Sequence, residues 1–207
     1  MLMKCLYVLA LSALFATPAF PQSRPAPAPS GTYVSDPAHS SVTWKVGHFG
    51  LSNYTARFTQ MSAELLWDAK NPAASKVSAS IDPTSVRTDF PFPDVENFDR
   101  KIGSDGNFLA AQPISFVSTE VKVTDENKGQ MTGDLTFRGL TRRATFDVTF
   151  NGSMAEHPME KAPKLGFSAI ARIRRSEWGL TLYVPAVSDE VTILIETELA
   201  PAKKATN

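Results

Sequence analysis

Alternation of apolar and polar residues through residues 133–150 (GDLTFRGLTRRATFDVTF) constrains the fold more than any other stretch of the chain. Leu135 and Phe137 alternate with polar neighbours, Arg138-Gly139 interrupts, and Ala144, Phe146, Val148 and Phe150 alternate again. A period of two puts every second side chain on one face, as in a half-buried strand. Two such runs joined by a short glycine-containing connection predict an antiparallel hairpin. One face is apolar and aromatic, and the other carries Thr136, Arg138, Thr145, Asp147 and Thr149.

The same signal recurs at 41–48, 56–67, 76–81, 114–123, 165–173 and 190–199. The spacing from Phe58 to Met61 breaks the alternation and predicts a bulge. With the hairpin these runs make about eight strands, so the fold class is all-β, an antiparallel sandwich or closed barrel. Residues 88–112 do not alternate, carry three Phe before Arg100, and read as an insertion covering one barrel end. A short helix is predicted there over 95–102, with Asp94 as its N-cap.

The ends read differently from the middle. Lys4, the apolar run 6–15 and the small residue Ala19 predict a secretory signal peptide over 1–19, too short to span a bilayer. An uncleaved anchor is the alternative. Cys5 precedes the apolar run, which argues against lipidation. Residues 20–31 are rich in Pro and Ala and predict a solvated linker. A single domain follows over 32–200, then a polar tail over 201–207. Loss of the signal removes Lys4 and the only cysteine, leaving 20 basic residues (21 less one) against 21 acidic. That balance excludes phosphate-backbone binding as a driving force, so no nucleic acid partner is expected. An exported chain without cysteine is held by its core rather than by disulfides.

Residues that could carry chemistry are few. His39 and His48 flank the first strand and His157 lies in a polar loop, but a metal site needs three or four convergent ligands, so no metal is expected. Asp36, His39, Ser40 and Ser41 crowd one segment, whereas a Ser-His-Asp triad draws its members from separate elements. Asp36-Pro37 is better read as a turn initiating the strand. Neither a Gly-x-Ser-x-Gly elbow nor an HExxH run occurs, so no catalytic residues are assigned. Arg138, Arg142, Arg143, Arg172, Arg174 and Arg175 read mostly as solvated charges that discourage edge pairing, with one or two open to an anionic head-group.

Several local patterns, in order, resemble the YceI-like family of exported, lipocalin-like polyisoprenoid-binding proteins. They are YVSDPAHS at 33–40, VTWKVGHFG at 42–50, Phe58, SVRT at 85–88, ISFVST at 114–119, LTFRGLT at 135–141 and RSEWG at 175–179. The chain departs from the pattern at 98–109, with an extra Gly-Asn pair, and in the aromatic Phe90-Pro91-Phe92-Pro93, which leaves the shape of the pocket mouth open. The resemblance implies an eight-stranded lipocalin-like barrel around an elongated apolar cavity that holds an isoprenoid. It further implies a homodimer, no cofactor beyond the bound lipid, and a periplasmic location.

On the inward phase of the strands, Val42, Trp44, Val46, Phe58, Phe116, Leu135, Phe137, Phe146, Phe167 and Ile193 would line the cavity. His48 and Arg175 are candidates for contact with a polar head-group. The expected function is non-enzymatic sequestration or transfer of a prenyl quinone, its precursor or a similar amphiphile. Strand pattern does not distinguish a hollow barrel from one filled by its own side chains. A second reading is an interaction module for a membrane redox partner, with the cavity incidental; an enzyme acting on prenyl or quinone substrates comes third.

Overall fold

The computed structural model describes residues 27–203. Ten strands are present: β1 (Gly31–His48), β2 (Ser52–Phe58), β3 (Met61–Trp67), β4 (Lys76–Ile81), β5 (Val86–Arg87), β6 (Ile114–Asp125), β7 (Lys128–Phe137), β8 (Leu140–Met154), β9 (Lys164–Arg174) and β10 (Val187–Pro201). One helix, α1 (Phe98–Ser104), lies in the long connection between β5 and β6. Neighbours run β10-β9-β8-β7-β6-β4-β3-β1, and β1 also pairs with β10, so eight strands close an antiparallel barrel. β2 pairs with the second half of β1 and β3 with its first half.

The predicted hairpin is the β7–β8 pair. Arg138 and Gly139 have φ of 52° and 73°, the paired left-handed residues of a two-residue type I′ connection that matches strand twist. Within β7, Gly133 is required by close approach, since a Cβ there would meet the Phe116 ring at 2.5 Å.

Several expectations need correction. The single strand over 56–67 is two strands, because the Thr59 and Gln60 amides leave the ladder and donate to Ser85 O and Ser85 Oγ. Asp36-Pro37 does not start β1: the strand runs through it, and the register against β10 shifts between Ser35 and Ser40. The helix begins later than predicted, at Phe98, because Asn97 rather than Asp94 caps it, its carboxamide accepting from Arg100 N at 2.9 Å. The signal peptide, most of the linker and the last four residues of the tail lie outside the described residues. At the end of the linker Pro27, Pro29 and Ser30 are exposed, and Ala28 alone is buried. Ala28 is 1 % exposed, its amide donates to Ser153 Oγ, and Tyr33 Oη donates to Pro29 O.

The barrel wall has an open seam between β8 and β9. β8 and β9 pair from Asp147–Ile170 to Met154–Lys164, but 140–146 and 171–174 are not laddered to each other. In continued register Arg143 would face Arg174, and like charges directly opposite oppose pairing. Trp178, 1 % exposed, lines the resulting cleft and donates its indole N–H to Leu135 O at 3.2 Å.

Apolar side chains inside the barrel form two clusters. One gathers around Val42, Phe58, Val86, Ile102, Phe116, Phe137, Phe146 and Trp178 beneath the insertion; the other gathers around Ala28, Tyr33, Leu65, Leu165 and Leu199 at the opposite end.

Candidate functional site

The barrel interior is hollow. A cavity of about 840 Å³ runs through it, walled by residues of both clusters. That volume is in the range of small-molecule sites. It exists because eight strands leave a lumen wide enough for one ligand, and many inward positions carry side chains too small to fill it, among them Ala63, Ala79 and Ala169.

All twelve residues singled out from the sequence stand on this wall. Val42, Trp44, Val46 and His48 come from β1, Phe58 from β2, Phe116 from β6, Leu135 and Phe137 from β7, Phe146 from β8, Phe167 from β9, Arg175 from the turn after it, and Ile193 from β10. Period-two alternation fixes their common face, and the ladder brings them together: Trp44 lies opposite Ile193, and Phe116 opposite Leu135. Trp44 and Trp67 both line the cavity, while their indole nitrogens are buried and lack hydrogen-bond partners among the described residues.

Residues the sequence reading missed complete the wall. Trp67 stacks on Phe150 at 5.6 Å and meets Phe167 edge-on at 5.9 Å at one end. Phe98, Lys101, Leu182 and Tyr183 surround the other end. Trp67 was legible as the last inward residue of its strand; the others sit on loops and a short helix where no periodicity speaks.

The two polar candidates differ. His48 is exposed and packs edge-on against Phe49 at 4.7 Å. Arg175 is buried, which corrects its reading as a solvated charge. Its guanidinium donates to the carbonyls of Leu180, Leu182, Val187 and Ser188 at 2.8–3.1 Å, and burial pulls its pKa down against the opposing charge of Asp189. Four of its five N–H donors therefore tie the β9–β10 connection to the start of β10. Arg138 also turns inward, donating to Phe108 O and tying the insertion to the β7–β8 turn.

The histidines do not converge. His39 pairs with Asp36 at 2.9 Å, and His157 accepts from the Glu160 amide in its own loop. Asp36, His39 and Glu198 do bring ligand atoms within 4.8 Å of one another, but the Lys164 ammonium lies 2.7 Å from Asp36 and 4.0 Å from Glu198, where a cation would stand. Ser40 hydrogen-bonds Thr197 at 2.7 Å.

Comparison with known proteins agrees with this geometry. A UPF0312 protein of Pseudomonas putida is 32 % identical over 145 residues, spanning 69 % of this chain and 71 % of its own. A UPF0312 protein of Staphylococcus aureus is 30 % identical over 148 residues, covering 72 % of this chain and 81 % of its own. Among solved structures, the Campylobacter jejuni YCEI protein superposes with TM-score 0.62 at 25 % identity, covering 77 % of this chain and 91 % of that one. A polyisoprenoid binding domain from Saccharophagus degradans shares the fold at TM-score 0.55 and 12 % identity, covering 84 % and 99 %. Residues 33–199 match the YceI-like domain, so the chain belongs to the YceI-like family.

Proposed function

We propose that the protein is an exported carrier that sequesters or transfers a long-chain polyisoprenoid, such as a prenyl quinone or its precursor, in the periplasm. The observation that carries the reading is the cavity of about 840 Å³ with an overwhelmingly apolar wall. Each CH₂ withdrawn from water into such a wall contributes ~0.8 kcal/mol, so an elongated hydrocarbon is the ligand the site favours. The twelve wall residues named above are the proposed contacts. Binding needs no covalent step: the barrel excludes water, and the aromatic groups at both ends, Trp67–Phe150–Phe167 and Tyr54–Phe98, supply broad faces for a chain. The fold shared with a domain that binds polyisoprenoid supports the choice of ligand class. The signal-like segment 1–19 supports export.

Native mass spectrometry of the purified protein, followed by organic extraction, tests the proposal. A prenyl or long acyl species at near-stoichiometric occupancy is expected. A protein that emerges empty and takes up no prenyl lipid in vitro overturns it.

A further inference from the structure

The two ends of the barrel differ in surface chemistry. At one, the cavity wall finishes in the polar β6–β7 turn, Asp125, Glu126, Asn127 and Lys128, and the exposed Met159 nearby stands in a run with Glu156, Glu160 and Lys161. At the other, three loops expose apolar side chains: Phe49 and Leu51 between β1 and β2, Phe92 and Val95 in the insertion, and Tyr183 and Val184 between β9 and β10. Leu51 is 88 % exposed and Val95 82 %. Single exposed apolar residues are ordinary, but a contiguous group marks an interaction surface.

These loops are one structure. Phe49 N donates to Ala186 O at 2.6 Å, joining the first loop to the third. Phe90 packs on Phe98 at 5.2 Å and beside Phe92 at 5.7 Å, anchoring the insertion to a residue of the cavity wall. Tyr183 and Lys101 both line the cavity and lie within electrostatic reach of each other, so the patch continues into the mouth. Phe49 and Tyr183 hold φ of 52° and 63°, an uncommon conformation for aromatic residues, so the loops present these rings at a backbone cost.

We infer that this rim is a docking surface for a lipid bilayer, and that the cavity exchanges its ligand there. The inference rests on the carrier reading. A prenyl chain resides in a bilayer, whose interior is as apolar as the cavity, so transfer is near neutral provided the chain never crosses water. That condition requires apolar contact between mouth and membrane, which the rim supplies. Its charge also selects the surface. Residues 87–101 carry three basic groups (Arg87, Arg100, Lys101) against four acidic ones (Asp89, Asp94, Glu96, Asp99), which suits a zwitterionic bilayer rather than a strongly anionic one.

Flotation with phosphatidylcholine vesicles tests the inference, with parent and variants sharing one N-terminus. Leu51 and Val95 lie outside the cavity wall, so Leu51→Asp and Val95→Asp probe the rim without altering the wall. The double variant is expected to lower vesicle association at least about tenfold, with little dependence on salt. Met159→Asp, at an exposed site in the β8–β9 connection, is expected to change nothing. Binding of a short-chain prenol, followed by tryptophan fluorescence, should match the parent in all variants. Failure of the parent to float, or a double variant that floats as the parent does, overturns the docking surface. So does light scattering that shows the double variant merely dissociating an oligomer while vesicle association is kept. Loss of flotation in the double variant alone, with no prenol bound by the parent, would leave the docking surface standing and refute the carrier reading.

Discussion

Lys164 Nζ lies 2.7 Å from Asp36 Oδ2, joining β9 to β1 across the intervening β10. The lysine side chain is 6 % exposed and also reaches Glu160 at 2.9 Å. Burial pushes its pKa down, and the hydrogen bonds to Asp36 and Glu160 outweigh that and raise it. The Lys164 and His39 hydrogen bonds hold the Asp36 carboxyl well below the usual carboxylate range, while Asp36 raises the His39 pKa.

Asp36→Asn should therefore destabilise the barrel by about 2 kcal/mol near neutral pH, the scale of a hydrogen bond to a charged group. Since the folded pKa of Asp36 is depressed, its contribution is present above the unfolded value near ~3.9 and is lost as pH falls through the folded one. The His39 contribution has the opposite sense, complete below ~6.5 and lost as pH rises through its raised folded value. Thermal unfolding of parent and variant from acid to neutral pH checks this: the Asp36→Asn gap should close in acid, whereas a His39→Gln gap should close on the alkaline side.

The hollow lumen makes an overpacking substitution informative. Ala169 lies on the cavity wall between Val148 and Ile195 on the neighbouring strands. Ala169→Trp puts an indole into open space rather than into a packed core, so the usual cost of about 1–3 kcal/mol for added bulk should not appear. Prenol affinity should fall about tenfold or more while the melting temperature holds. Titration calorimetry and differential scanning calorimetry on one sample report the two.

Gly133 offers the contrary case. Its missing side chain leaves room for the Phe116 ring, which meets Phe146 edge-on at 5.1 Å. Gly133→Ala should destabilise by about 1–3 kcal/mol, because the ring must leave its place and the neighbouring strand does not yield. Urea unfolding should show a lower midpoint with an unchanged slope.

Arg175→Met keeps much of the side-chain length but leaves the carbonyls of Leu180, Leu182, Val187 and Ser188 without their donor. A loss of about 3 kcal/mol is expected, the scale of breaking a buried polar network. Amide hydrogen exchange should rise in the β9–β10 connection and remain at parent levels in the β6–β7 hairpin.

The barrel and its inward face were legible because alternation is a local signal: Val42, Trp44 and Val46 name their own face, and a one-residue slip would have turned all three outward. Whether the barrel was hollow was not legible. Vacancy depends on how far apart Ala79, Ala169 and their opposite neighbours stand, a property of ring size rather than of any run of residues. The break at Thr59-Gln60 was hidden for a similar reason, since Ser85, which replaces the ladder there, is remote in sequence. The cap of α1 was misplaced by three residues because Asp94 and Asn97 are both good caps, and choosing between them depends on how Phe90 and Phe98 pack. Arg175 looked like its exposed neighbours because a guanidinium stabilising a loop and one in water have the same sequence signature.

The open seam between β8 and β9 has a mechanical meaning. In a barrel laddered all the way round, the circumference is fixed by strand spacing, and widening it would rupture backbone hydrogen bonds. Here the hoop is incomplete at the end nearest the insertion, and the indole of Trp178 sits in the gap. No ladder bond crosses from 140–146 of β8 to 171–174 of β9, so along this line the wall is held by side-chain packing around Trp178 rather than by strand pairing.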